Sequence, residues 1–108
     1  MEKKELDWGN IGFTYMTTDK RYVAEYKDGA WGEGALTSDP NVVINECAGI
    51  LQYCQECFEG LKAYTTEDGS IVTFRPDLNA ERMMDSAARL EMPPFPKERF
   101  LEAVDAVV

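Results

Sequence analysis

The 108-residue sequence predicts an α+β fold, a two-layer sandwich of a mainly antiparallel sheet with helices packed on one face. Two observations favour this class: alternating segments that turn at Asp-Gly pairs, and two amphipathic segments in the second half. An apolar fraction of 44% is typical of a packed domain rather than a disordered chain. We therefore expect a single structural unit over residues 1–108.

The first half of the chain predicts a polar lead-in followed by strands. The lead-in covers residues 1–20. Residues 22–27 alternate between two faces, and Asp28-Gly29 supplies the positive φ angles of a tight turn before Ala30-Trp31. The β-branched residues 42–44 predict a further strand.

The second half predicts a short helix, a hairpin and two longer helices. The short helix is expected over residues 50–58, and the hairpin joins residues 61–64 to residues 70–74. The longer helices are expected over residues 76–90 and from residue 97 to the last residue. Apolar side chains recur in them with a period of about 3.6 residues. They are Ala80, Met83, Met84, Ala87, Ala88, Leu90, Phe100, Leu101, Val104, Val107 and Val108.

Charge and composition exclude several functions. A net charge of −9 disfavours nucleic-acid binding, which needs a basic face. No apolar run is long enough to span a bilayer, and residues 1–5 lack the apolar core of a signal peptide. With three cysteines and no such signal, we expect a reducing cytoplasm. Because histidine is absent, no metal site is expected, and catalysis would depend on carboxylates, Lys, Tyr, Cys or a cofactor.

Several reactive residue types have ordinary explanations. Cys54 and Cys57 have Cys-x-x-Cys spacing, but they supply at most half a zinc site, so we interpret them as incidental. The clustered acids predict a solvated surface. They are Glu56, Glu59, Glu67 and Asp68. None of the six lysines lies in a context that favours a Schiff base, including Lys62 on its predicted strand.

Two features of the sequence each allow a structural and a functional interpretation. Arg82 either pairs with Asp85 one helical turn away or serves as a rigid clamp for an anion such as phosphate. The aromatic residues Tyr53, Phe58 and Tyr64 surround Gly60 and form either core packing or the wall of a ligand pocket. Periodicity and spacing do not decide between these interpretations.

Two blocks of residues resemble a known family. Residues 51–64, LQYCQECFEGLKAY, are similar to the Y-G-Q-x-x-F-E-G-[LM]-K-A-[YF] block of branched-chain-amino-acid aminotransferases. Residues 74–83, FRPDLNAERM, resemble that family's F-R-P-x-x-N-x-x-R-[ML] block. Ser86 to Leu90 and Met92-Pro93 continue the similarity.

The resemblance implies the truncated, smaller N-terminal domain of a fold-type IV pyridoxal-phosphate enzyme. Arg82 falls where the family binds the cofactor's phosphate. Phe58 and Gly60 fall where the family lines the pocket for the branched side chain, and Tyr53 where a tyrosine crosses the homodimer interface into the neighbouring pocket. The Schiff-base lysine lies in the family's larger domain, so no catalytic residue is assigned here and we expect this chain alone to be inactive.

The implied reaction moves an amino group between leucine, isoleucine or valine and 2-oxoglutarate, with pyridoxal 5'-phosphate as cofactor and without nucleic-acid or membrane partners. Cys54 departs from the family, which usually has glycine there, and a positive φ at that position would strain the backbone. Alternatives are a D-amino-acid aminotransferase or aminodeoxychorismate lyase of the same fold type. A different class is a stand-alone acidic interaction module that binds through the apolar helix 97–108.

Overall fold

Short antiparallel hairpins precede two packed helices in the structure, a computed structural model that describes residues 5–108. The strands are β1 (Arg21–Val23), β2 (Tyr26–Lys27), β3 (Ala30–Trp31), β4 (Ala35–Thr37), β5 (Ala63–Thr65) and β6 (Ile71–Thr73). The helices are α1 (Gly49–Tyr53), α2 (Pro76–Arg89) and α3 (Lys97–Val107), and a 3₁₀ turn covers Trp8–Asn10. The first four residues of the predicted lead-in, and the prediction made for residues 1–4, lie outside the described residues.

The strands form three separate antiparallel pairs. β1 pairs with β4, β2 with β3, and β5 with β6. The predicted α+β class is therefore confirmed, but in the described residues the strands do not join into one continuous sheet. Each strand is two or three residues long, at or below the lower end of the usual range for strands.

Of the hairpin predicted from residue 22 to Trp31, the turn and the two strands next to it, β2 and β3, are confirmed. Asp28 and Gly29 both have positive φ, 52° and 84°, as a tight two-residue turn requires. The return strand brings Trp31 against Tyr26 and Phe95, with ring centroids 5.3 and 4.9 Å away. The indole Nε1–H donates to the carbonyl of Pro94 at 2.9 Å, which fastens this hairpin to the segment between α2 and α3.

Helix α2 starts at the residue that the sequence predicts and ends at Arg89, one residue before the predicted end at Leu90. Pro76 occupies its first turn, where a missing N–H costs no helical hydrogen bond. At the other end Glu91 adopts a φ of 55°, the N–H of Met92 bonds the carbonyl of Ala87, and the N–H of Glu91 bonds that of Ala88. This is a Schellman motif with glutamate in the left-handed position where glycine is usual.

The core lies where α2 packs on α3 and α3 packs on β1. Ala80, Ala87 and Val104 are its buried apolar residues, with exposures of 1%, 5% and 8%. All three belong to the predicted apolar stripes. The small alanines let the helices approach closely, and Val104 fills the space between them.

Two local predictions are wrong. Residues 42–44 form no strand, and Val43 is 98% exposed, because β propensity without a neighbouring strand leaves the backbone unpaired. The helix expected over residues 50–58 ends at Tyr53. It ends there because Cys54 takes the left-handed conformation, with φ 52° and ψ 35°. The positive φ on which the expected strain depends is therefore present at Cys54.

Candidate functional site

A carboxylate from the loop after α1 joins two side chains of α2. Glu59 accepts hydrogen bonds from Arg82, with Nε 2.5 Å from Oε1 and one terminal nitrogen, Nη2, 2.7 Å from Oε2. Asn79 Nδ2 donates to the same Oε2 at 2.9 Å and also to the carbonyl of Gly60 at 3.1 Å. These contacts connect residues that are 19 to 23 positions apart in the sequence.

Helix α2 presents these partners on one face because Asn79 and Arg82 are three residues apart. The Glu59 side chain is only 5% exposed, whereas the Arg82 side chain is 68% exposed. A nearly buried carboxylate therefore holds the inner edge of a guanidinium whose outer part faces solvent. The three hydrogen bonds satisfy the carboxylate, which would otherwise be costly to bury.

The electrostatics of the pair favour its charged state. The Arg82 hydrogen bonds lower the pKa of Glu59 below its ordinary value, and Asn79 adds to this shift. The Glu59 carboxylate in turn raises the pKa of Arg82. Both groups are therefore ionised at neutral pH.

The guanidinium keeps part of its donor capacity. Arginine carries N–H groups on Nε and on both terminal nitrogens, and Glu59 uses Nε and Nη2. Within residues 5–108 nothing accepts from the second terminal nitrogen, Nη1. An exposed cation with free N–H groups in a fork is suited to a planar or tetrahedral oxyanion such as phosphate.

Phe58 and Gly60 flank this carboxylate in the chain. The Phe58 residue is 87% exposed. A Cβ added at Gly60 would lie 3.4 Å from Cε1 and 3.5 Å from Cζ of the Phe58 ring. Glycine at this position therefore leaves open the space beside an exposed aromatic ring.

Tyr53 is the last residue of α1 and is 86% exposed. Within residues 5–108 its side chain makes no hydrogen bond or ring contact. The segment that follows is fixed by Gln55, whose Nε2 donates to the carbonyl of Leu90 at 2.8 Å. The structure thus joins Arg82 to Glu59 and Asn79 to Gly60, and Phe58 lies exposed next to Glu59 in the chain.

The remaining features considered in the sequence are the possible metal ligands, the Cys-x-x-Cys pair and a membrane span. In the part of the chain that is described, no cluster of three or more Cys, His, Asp or Glu side chains is arranged to hold a metal. Cys54 and Cys57 are free thiols. None of the helices within residues 5–108 has the length and apolar character needed to cross a membrane.

The structure settles one open point and corrects one prediction in this region. Among the described residues Arg82 pairs with Glu59, in the loop after α1, and not with Asp85. The sequence predicts a solvated acid at Glu59, yet its side chain is nearly buried, unlike the exposed Glu56, Glu67 and Asp68. The sequence does carry a signal for both partners of the arginine, because Glu59 stands inside one family-like block and Asn79 inside the other.

Nearly the whole chain is similar to several known proteins. A branched-chain-amino-acid aminotransferase of Haemophilus influenzae is 54% identical over 105 residues, which cover 97% of this chain and 31% of the relative. That of Helicobacter pylori is 45% identical over the same shares of the two chains. Branched-chain-amino-acid aminotransferase 5, chloroplastic, of Arabidopsis thaliana is 44% identical over 99% of this chain and 26% of its own. No family model matches the chain.

Over nearly its whole length the chain is therefore homologous to aminotransferases. More narrowly, these relatives are branched-chain-amino-acid aminotransferases, so the resemblance of residues 51–64 and 74–83 is confirmed. The chain spans about 31% of the length of the two bacterial relatives.

Proposed function

We propose that the chain is the smaller domain of a pyridoxal-phosphate-dependent aminotransferase acting on branched-chain amino acids and 2-oxo acids. The observation that carries the proposal is the Glu59–Arg82 pair, which joins the two family-like blocks and, among residues 5–108, leaves Nη1 of the guanidinium without an acceptor. The names of the relatives supply the substrate class.

The donor set fits the phosphate of this cofactor. A dianion needs a fixed cation with unused N–H groups, and Arg82 supplies both on a helix that is packed into the core. In the proposal Arg82 holds the phosphate, while Phe58 and the open space at Gly60 receive the branched side chain. When bound, pyridoxal phosphate supplies the electron sink for amino-group transfer.

Tyr53 has a different proposed role. Its ring is exposed, and no partner for it occurs among the described residues. We place it at the interface of a homodimer, where it would reach the pocket of the neighbouring subunit. The free state of all three cysteines supports a cytoplasmic location.

The interaction-module alternative gains less support from the structure. It requires the apolar face of α3 to be free for a partner. Part of that face packs on α2 and β1, with Val104 8% exposed, whereas Val107 and Val108 at its end are each 37% exposed. The aminotransferase proposal therefore accounts for more of the molecule.

The test is Arg82→Ala in the full-length enzyme that contains this domain. Loss of the charge-assisted hydrogen bonds should weaken pyridoxal phosphate by about tenfold or more, measured by titrating the apoprotein. Pyridoxal, which lacks the phosphate, should bind as before. Arg89→Ala is the matched control, an exposed arginine in the last turn of the same helix that should change neither affinity. Equal binding of pyridoxal phosphate to Arg82→Ala and the parent enzyme would remove Arg82 from the site.

A further inference from the structure

We propose that Glu59 is a positioning residue for phosphate recognition, because its buried carboxylate fixes the guanidinium of Arg82 with one terminal nitrogen free for the anion. The inference rests on the proposed function, since it assigns the supporting partner of the residue that would hold the phosphate. Asn79 completes the support, because it bonds both the carboxylate and the carbonyl of Gly60.

The geometry gives the reason. An arginine side chain is long, has many rotamers and is 68% exposed at this position, so it would sample several directions by itself. Bonds at 2.5 and 2.7 Å to both oxygens of one carboxylate define the plane of the guanidinium and its direction. The carboxylate cannot move freely, because its side chain is 5% exposed and Asn79 also holds it.

Charge alone would predict the opposite effect. The negative charge of Glu59 partly cancels the cation and repels a phosphate, so neutralising it should tighten binding if only Coulomb attraction mattered. Water screens that repulsion at the exposed end of the guanidinium. Water does not compensate for the lost orientation of the Arg82 guanidinium. In Glu59→Gln one carboxylate oxygen is replaced by an NH2 group, which donates and cannot accept. In one orientation this group faces the donor Arg82 Nε, and in the other it faces the donors Arg82 Nη2 and Asn79 Nδ2. Either clash of donors would displace the arginine.

The experiment measures the affinities of pyridoxal phosphate and pyridoxal for the full-length apoprotein, by absorbance titration, in the parent, Glu59→Gln, Arg82→Ala and the double variant. We expect Glu59→Gln to lower the affinity ratio of pyridoxal phosphate to pyridoxal by about tenfold. Because Glu59 acts through Arg82, its substitution should add nothing in the Arg82→Ala background.

The outcomes separate the two proposals. An unchanged or higher ratio in Glu59→Gln, together with a reduced ratio in Arg82→Ala, would overturn the positioning role and leave the phosphate assignment standing. An unchanged ratio in Arg82→Ala would overturn the phosphate assignment, and the positioning role with it. A further loss in the double variant would show that Glu59 acts without Arg82, which also contradicts the inference.

Two more variants guard against a folding defect. Glu59→Asp keeps the charge, and Asn79→Ala removes support from the carboxylate without touching the arginine. Each should lower the ratio in the same direction as Glu59→Gln but less, and an unchanged ratio in both would contradict the inference. Glu81→Gln is the matched control, because Glu81 lies on the same helix and pairs with Lys97 at 2.5 Å, remote from Glu59 in the network. It should leave the ratio unchanged.

Discussion

Replacing Cys54 by glycine should stabilise the domain, although glycine usually destabilises. Cys54 ends α1 with φ 52° and ψ 35°, the left-handed region in which a side chain crowds the backbone. Its N–H and that of Gln55 both donate to the carbonyl of Gly49, so the conformation is held by the turn that it closes. The thiol is exposed and free, so its removal sacrifices little packing.

Two opposing terms set the magnitude. Relief of the left-handed conformation gains about 1–2 kcal/mol for a residue with a Cβ. The greater freedom of glycine in the unfolded chain costs about 0.4–1 kcal/mol. The two ranges differ by about 0–1.6 kcal/mol. The free energy of unfolding should therefore rise by roughly 0.8 kcal/mol at the centre of this range, which corresponds to an increase in Tm of roughly 3–6 °C for a domain of this size.

The assay is urea unfolding of the chain followed by tryptophan fluorescence, with Trp31 reporting on the packed hairpin. Cys54→Ala is the matched control, because it removes the thiol and keeps the Cβ, and it should give no gain. Ala88→Gly places glycine at an exposed position inside α2 and should lose about 1 kcal/mol. A loss in Cys54→Gly as large as that in Ala88→Gly would refute the reasoning.

Two further predictions concern stability. Val104→Ala should lower the free energy of unfolding by about 1.5–2.5 kcal/mol in urea titrations, because a valine that is 8% exposed loses two methyl groups between α2, α3 and β1; a loss no larger than that from an exposed valine, Val43→Ala, would contradict it. The Arg75 guanidinium lowers the pKa of Asp77 from 3.8 to about 2. Because the folded pKa is depressed, the contribution of ionised Asp77 is complete above pH 4 and is lost as the pH falls towards 2. Asp77→Asn should therefore flatten the decline of the urea midpoint over this interval, and an equally steep decline would show that the pair does not contribute.

Much of the fold could be predicted because its signals are local. The Asp28-Gly29 turn, the proline at the start of α2 and the apolar period of the two long helices each reflect a backbone preference or a burial pattern within a few residues. The same local signals mislead at residues 42–44, where β-branched residues occur without a strand to pair with. They also extend α1 beyond Tyr53, since helix propensity does not register a left-handed residue at Cys54.

The candidate site, too, could be predicted only where its signals are local. The residue blocks around Phe58 and Arg82 could be read from the chain, together with the family they resemble. The pairing of Glu59 with Arg82 could not, because 23 positions separate the two residues and nothing local distinguishes this acid from a surface carboxylate.

The sequence by itself determined the secondary-structure elements near Asp-Gly turns and in α2 and α3, the acidic charge and the family-like blocks. Only the tertiary structure decided which carboxylate is nearly buried and which nitrogens of the Arg82 guanidinium it engages. The physical reason is that burial and hydrogen-bond partners depend on how the loop after α1 closes on α2. That closure is set by packing between distant segments, which local preferences do not specify.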